Sequence, residues 1–296
     1  MTAPIQSSHV IPTAPDTKLE VLTSIPVAGS IKPTLLFVHF WGGSARTFGA
    51  LAALLSPDFP LVRPSLRGWG ASTGPADPDA YGITDSADDI AALVAHLRAD
   101  AALAAAGFFQ HGLVIVGHSM GAKIAQVLTA RGDLGALLKG LVLIGPAPLG
   151  RLELPAEMRE QQIAMSSSRE SVELVLRHVV LGSDVGTDEL RHLVNDFVGG
   201  REQAKLAWPK YAMMEDYGGL ASKEGVEGLK IPIAVVVGGL DKIETAEGVD
   251  ERVVQVLKKA GASVKMTVLD GVGHLMPVEA PKELENIIRN FVHASS

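Results

Sequence analysis

The chain has 296 residues, 47% hydrophobic and 20% charged, which is enough apolar material for a large buried core and excludes a disordered chain. A net charge of −7 with no basic cluster argues against a nucleic-acid partner. The absence of cysteine excludes disulfides, thiolate metal sites and a cysteine nucleophile.

Residues 1–17 are rich in Pro, Ser and Thr, without the basic start and apolar stretch of a secretory signal, and are expected to form a flexible lead-in. Beyond them, short β-forming runs alternate with longer Ala- and Leu-rich segments. Runs at 35–38 and 61–62 flank a helix candidate at 45–55. A helix is expected over 85–105, with Thr84 as N-cap and Asp85 and Asp88 complementing its dipole. A strand at 113–116, a helix at 120–131 and a strand at 141–144 follow. A strand at 233–237, a helix at 246–260, a strand at 264–268 and a helix at 281–292 close the series. Several runs are apolar throughout, as strands buried on both faces of a parallel sheet are. The predicted fold class is α/β, a doubly wound, mostly parallel sheet built from 18–148 and 231–296. Such sheets place ligands at the carboxyl ends of their strands. No apolar stretch approaches the roughly 18 residues that cross a bilayer, and a cytoplasmic protein is expected.

Residues 149–230 break the alternation. They contain helical segments at 155–165, 169–181, 187–198 and 202–217 and no convincing strand. They read as the core of a small helical bundle or as a helical cap over the strand ends, with apolar side chains roofing a pocket. Phe40, Trp208, Met213, Met214 and Leu275 are the candidate pocket residues.

The chemistry-bearing motif is Gly117-His118-Ser119-Met120-Gly121, directly after the 113–116 strand and before a helix. A strand, Gly-x-Ser-x-Gly and a helix in that order make a nucleophile elbow, a turn so tight that flanking side chains must be nearly absent. A serine hydroxyl needs a base, and His274 is the candidate, on the glycine-rich loop 270–277 after the last strand. The imidazole needs a carboxylate to hold its tautomer, and Asp241, at the end of the 233–237 strand, is assigned with Glu244 in reserve. Asp241 also reads as a helix-capping aspartate, and Asp270 as a brace for its own loop. Two backbone N–H groups are assigned to an oxyanion hole, Met120 after the nucleophile and Trp41 in His39-Phe40-Trp41-Gly42-Gly43-Ser44.

These motifs, with Arg67-Gly68-Trp69-Gly70-Ala71-Ser72, Gly239-Leu240-Asp241 and Gly273-His274 trailed by Pro277, Glu279 and Pro281, resemble the α/β-hydrolase superfamily from about residue 19 to 291. Among capped members the chain is similar to non-haem haloperoxidase-like esterases and carbon–carbon-bond hydrolases. There the residue matching Trp41 supplies an oxyanion N–H. The chain departs from the family at Phe40, where glycine is usual, and at Ser65, where aspartate precedes Arg-Gly-x-Gly. A serine nucleophile argues against haloalkane dehalogenase or epoxide hydrolase chemistry. The resemblance implies a cofactor-independent serine hydrolase of a small, largely apolar ester or lactone, with no metal. Carbon–carbon-bond hydrolysis of a diketone-type metabolite and a ligand-binding, non-catalytic role are the alternatives.

Overall fold

A computed structural model describes residues 3–27, 29–165, 168–221 and 230–294. Eight strands form one sheet in the order β1-β2-β4-β3-β5-β6-β7-β8. They are β1 (Ile5–Ala14), β2 (Thr17–Ile25), β3 (Thr34–Val38), β4 (Leu61–Pro64), β5 (Leu113–His118), β6 (Leu138–Ile144), β7 (Pro232–Gly238) and β8 (Ser263–Leu269). Only the β1–β2 and β2–β4 pairs are antiparallel. Every pair from β4 through β3, β5, β6 and β7 to β8 is parallel. The doubly wound, mostly parallel sheet read from the sequence is the observed one.

Both faces of the central strands are covered. On one face, α2 (Ile83–Ala99) and α4 (Met120–Ala130) pack Ile90, Leu93, Ile124 and Leu128 against Leu36, Ile115 and Leu143. On the other, α1 (Gly49–Leu55) and the C-terminal helix Pro281–Ala294 cover Phe37, Val116 and Ile144. That last helix buries Leu284, Ile288 and Val292, one residue per turn along a single stripe. In β5 every residue from Leu113 to Val116 is at most 1% exposed. Full burial of each such side chain is worth about 1.5–3 kcal/mol. The strand that leads into Ser119 is therefore anchored from both sides.

Two expectations are corrected. Residues 5–14, expected to be a flexible lead-in, form β1, paired along its length to β2. As the edge strand β1 is half solvated, so polar Gln6, Ser7 and Ser8 are tolerated and its apolar signal is diluted. The 85–105 helix begins at Ile83 and breaks at Asp100, whose carboxylate caps the short α3 (Ala101–Ala105). Thr84 therefore lies inside the first turn of α2. Asp85 accepts from the Gly82 N–H (2.9 Å) and Glu215 from the Ile83 N–H (3.0 Å).

Between β6 and β7 the chain leaves the sheet for a helical insertion: α5 (Ala156–Met165), α6 (Arg169–Val175), a π-helical turn Leu176–Val180, α7 (Thr187–Gly199), α8 (Glu202–Lys210) and α9 (Gly218–Ala221). Of the span 149–230, residues 166–167 and 222–229 lie outside the described residues. A cluster of its own, including Val172, Leu176, Leu190, Val194 and Phe197, seats the insertion on Phe40 and Leu275 from the sheet side. No helix among the described residues is long and apolar enough to cross a membrane.

Candidate active site

Ser119 sits between β5 and α4 with φ of 54° and ψ of −115°, a conformation that a side-chain-bearing residue holds only when its surroundings impose it. The imposing contacts are backbone. A Cβ on Gly117 would lie 2.7 Å from the Gly121 carbonyl oxygen and 2.8 Å from the Ala122 Cα. A Cβ on Gly121 would overlap the carbonyl oxygens of Val38 and His39. Both glycines are therefore required for α4 to leave β5 so sharply. The Met120 N–H is at the first position of α4, where the helix supplies no acceptor.

His274 and Asp241 meet across the strand ends. The His274 Nδ1–H donates to Asp241 Oδ2 at 2.7 Å, which leaves Nε2 as the unprotonated nitrogen of the neutral ring. Asp241 Oδ1 accepts from the Ile243 and Glu244 N–H groups (2.8 and 2.9 Å). One carboxylate thus caps its own turn and orients the histidine. Burial alone would push the His274 pKa down, but the Asp241 charge and hydrogen bond outweigh it and raise the pKa above the ordinary value. Burial pushes Asp241 up, and the histidine beside it, with three hydrogen bonds, brings it below the ordinary value. Gly145, at φ +47°, ends β6 directly under the ring, where a Cβ would stand 3.2 Å from His274 Cε1. The Ser119 N–H binds the neighbouring Ile144 carbonyl (2.9 Å), so the Ser119 turn and the imidazole converge at this strand end.

Glu244 turns away, its Oε2 on Arg252 Nη2 at 2.8 Å, and burial pushes its pKa up to about 7. His118 donates from Nε2 to the His274 carbonyl (2.8 Å), and burial depresses its pKa to about 3, so it is a neutral prop behind the His274 ring.

Phe40, in place of the family's usual glycine, packs against the His118 ring in a tilted contact, centroids 5.2 Å apart. Its carbonyl accepts from His39 Nδ1 (2.7 Å). The Trp41 indole donates to the Lys205 carbonyl (3.0 Å) and meets Phe197 edge-on at 5.0 Å, which pins the loop to the insertion. Ser65 stands where the family has aspartate, and a carboxylate still reaches the spot. Glu20, from β2, accepts from Ser65 Oγ (2.9 Å), the Ala71 N–H (3.1 Å) and Arg46 (2.7 Å).

Ser119 and His274 open onto one cavity of about 140 Å³, walled by Phe40, Trp41, Trp208, Phe197, Leu193, Ile243 and residues of α5 and the π-helical turn. Cavities of about 150 Å³ hold a molecule the size of benzene. Of the five candidate pocket residues, Phe40 and Trp208 are on this wall. Met213, Met214 and Leu275 are not. Met213 is fully buried under the insertion, in the cluster shared with α4, and Met214 packs against the same cluster. Leu275 is fully buried among the insertion's own apolar residues. Among the described residues no three His, Asp or Glu side chains converge as a metal ion requires.

Two braces escaped sequence reasoning. Glu279 Oε2 accepts from the N–H groups of Gly182, Ser183 and Gly273 (2.8, 3.0 and 3.0 Å), and Oε1 accepts from the Leu275 N–H (3.0 Å). It ties the histidine loop to the insertion. Lys123, fully buried in α4, donates to the carbonyls of Gly150, Met213 and Glu215 (2.8, 3.2 and 2.7 Å). Burial lowers its pKa to about 8. A lysine four residues after a candidate nucleophile, the one charged residue in a largely apolar helix, was the available signal.

Residues 35–287 match the Alpha/beta hydrolase family, and the chain belongs to it. A Mycoplasma pneumoniae protein named as a candidate esterase/lipase is 29% identical over 185 residues, which cover 61% of this chain and 63% of that relative, under two thirds of its length. The esterase from Exiguobacterium antarcticum superposes with a TM-score of 0.74 at 17% identity, over 94% of this chain and 96% of that one. The enol-lactonase from Burkholderia xenovorans LB400 does so at 0.72 and 19%, over 94% and 97%. At these identities the two structures share the fold.

Proposed function

We propose that the protein is a serine hydrolase that cleaves a small, largely apolar ester or lactone through an acyl-enzyme, with the helical insertion as its cap. The observation that carries this reading is Ser119, strained at φ 54° and opening onto the same apolar cavity as a histidine bonded to a buried aspartate. Ser119 Oγ attacks the substrate carbonyl while His274 Nε2 takes its proton. Asp241 holds the tautomer and stabilises the imidazolium. The oxyanion rests on the Met120 and Trp41 N–H groups. The imidazolium then protonates the leaving oxygen, and the neutral ring activates water to release the acyl group. The family, the name of the Mycoplasma relative and the esterase and lactonase among the fold neighbours agree with acyl transfer to water.

A fluorophosphonate probe tests the nucleophile and a chromogenic short-chain ester tests the turnover. Probe mass on the peptide holding Ser119, with ester hydrolysis abolished in step, is the expected result. An unlabelled Ser119 together with no turnover across esters and lactones overturns the reading in favour of ligand binding. Cleavage products from a β-diketone in place of an ester would move the reading to carbon–carbon bonds.

A further inference from the structure

Helix α5 turns one stripe toward the cavity: Met158, Gln161, Gln162 and Met165, spaced i, i+3, i+4, i+7. A stripe whose task is only to cover an apolar cavity would be apolar at all four places. Met158 and Gln161 are exposed, at the solvent side of the stripe, and Met165 is buried. Gln162 lies between them, and its Oε1 is buried with no hydrogen-bond partner among the described residues. Other buried side-chain atoms lack a partner too, among them His118 Nδ1, Gln126 Oε1 and Glu244 Oε1, but none of their residues lines this cavity. Apart from Ser119, His274 and the Gln161–Gln162 pair, the side chains of the wall are apolar or aromatic.

A buried amide oxygen without a donor is destabilising, and occupants of the cavity are ranked by whether they supply one. We propose that Gln162 is a specificity-determining residue that hydrogen-bonds a hydroxyl carried by the substrate, so that the site takes hydroxylated acyl compounds with an otherwise apolar body. A hydroxyl donates to the amide oxygen and also accepts from the amide nitrogen, so it satisfies the side chain in either orientation. An amine or carboxylate fits less well, because among the described residues the cavity wall holds no Lys, Arg, Asp or Glu that would offset its desolvation. The proposal rests on the ester-hydrolase reading.

The test uses the full chain and a ladder of p-nitrophenyl alkanoates, each paired with the ester whose terminal methyl is replaced by hydroxyl. At the chain length that reaches Gln162, the ratio of kcat/KM for the hydroxyl ester to that for the methyl ester should fall about five- to tenfold in Gln162→Leu, the scale of one neutral hydrogen bond. Gln162→Asn, one methylene shorter, should keep the preference and move it to a longer ester, a shift that a purely structural role would not produce. An equal ratio in wild type and Gln162→Leu at every length overturns the proposal, while turnover of the plain esters leaves the hydrolase reading standing. If no ester is turned over, that reading has failed, and Gln162 is judged on binding alone. Uncharged hydroxy amides should then raise the melting temperature more than the matching alkanamides in wild type but not in Gln162→Leu. Equal shifts in both proteins overturn the proposal there too.

Discussion

The two walls of the cavity are built differently. On the sheet side, α4 buries every residue from Met120 to Ala130, and the strands beneath it are covered on both faces. On the insertion side, α5 buries only Met165, and α7 buries Leu190, Leu193, Val194 and Phe197 along one stripe. A helix packed all round cannot shift without repacking its neighbours, whereas one with few buried contacts belongs to the low-stability end of a structure. The proposed chemistry sits on the first wall and most of the substrate contact on the second. Changes to the sheet wall should therefore alter rate, and changes to the insertion wall should alter choice.

The sharpest way to break that contrast is Ser119→Ala. It removes one hydroxyl and leaves the packing intact, and it should lower turnover by roughly five orders of magnitude with an unchanged melting temperature. Near-native turnover, measured beside the melt, would end the serine-hydrolase reading. Asp241→Asn comes next, at roughly three to four orders, because an amide favours the wrong histidine tautomer. The same pair sets the pH profile. Free imidazole is the active form and the His274 pKa is raised above 6.5, so the acidic limb of kcat/KM should lie above pH 6.5. That limb should move downward in Asp241→Asn, where burial acts without the opposing charge. If Glu244→Gln does the damage instead, the acid is misassigned.

Two further substitutions sharpen the comparison. Trp208→Ala, on the cavity wall, should shift relative kcat/KM among short and long acyl chains by roughly 1–3 kcal/mol per lost methylene-sized contact. Met213→Ala, off the wall, should lower stability by roughly 2–5 kcal/mol and leave the order of substrates alone. Melts run beside a substrate panel separate them. The last expected effect is on stability against pH. The folded-state pKa of Glu244, about 7, stands above its ordinary 4.5, so the native state favours the protonated acid. That contribution is complete below pH 4.5 and lost as pH rises to about 7. Wild type should lose up to roughly 3 kcal/mol over this window that Glu244→Gln does not, read from urea midpoints.

What was legible in the sequence was what glycine punctuates locally. The elbow, the Asp241 turn and the His274 loop each combine an apolar strand, glycines and one polar residue, and each lies where that pattern places it. Glu20, Glu279 and Lys123 act on partners 26 to 97 residues away along the chain, as with Arg46, Gly182 and Glu215, and no local pattern encodes such partners. Strand β1 escaped because an edge strand needs no continuous apolar run. The cavity wall was half legible: aromatic Phe40 and Trp208 marked themselves by size, while the α5 stripe was masked by its two glutamines. Met213 and Met214 misled because a methionine under a helical insertion and one lining a cavity look alike in sequence.

Lys123 also bears on how freely the insertion can be exchanged. Its three carbonyl partners lie at both ends of the excursion, Gly150 where the chain leaves the sheet and Met213 and Glu215 as it prepares to return. A chimera that trims 149–230 to a short loop, or replaces it with a foreign lid, strands a buried cation in α4, the helix that begins at Met120. The donor lid must bring matching carbonyls, or the graft must carry an apolar residue at 123. Exchange of the insertion is thus coupled to the residue at 123, and with Lys123 in place the insertion and the helix after Ser119 move as one unit.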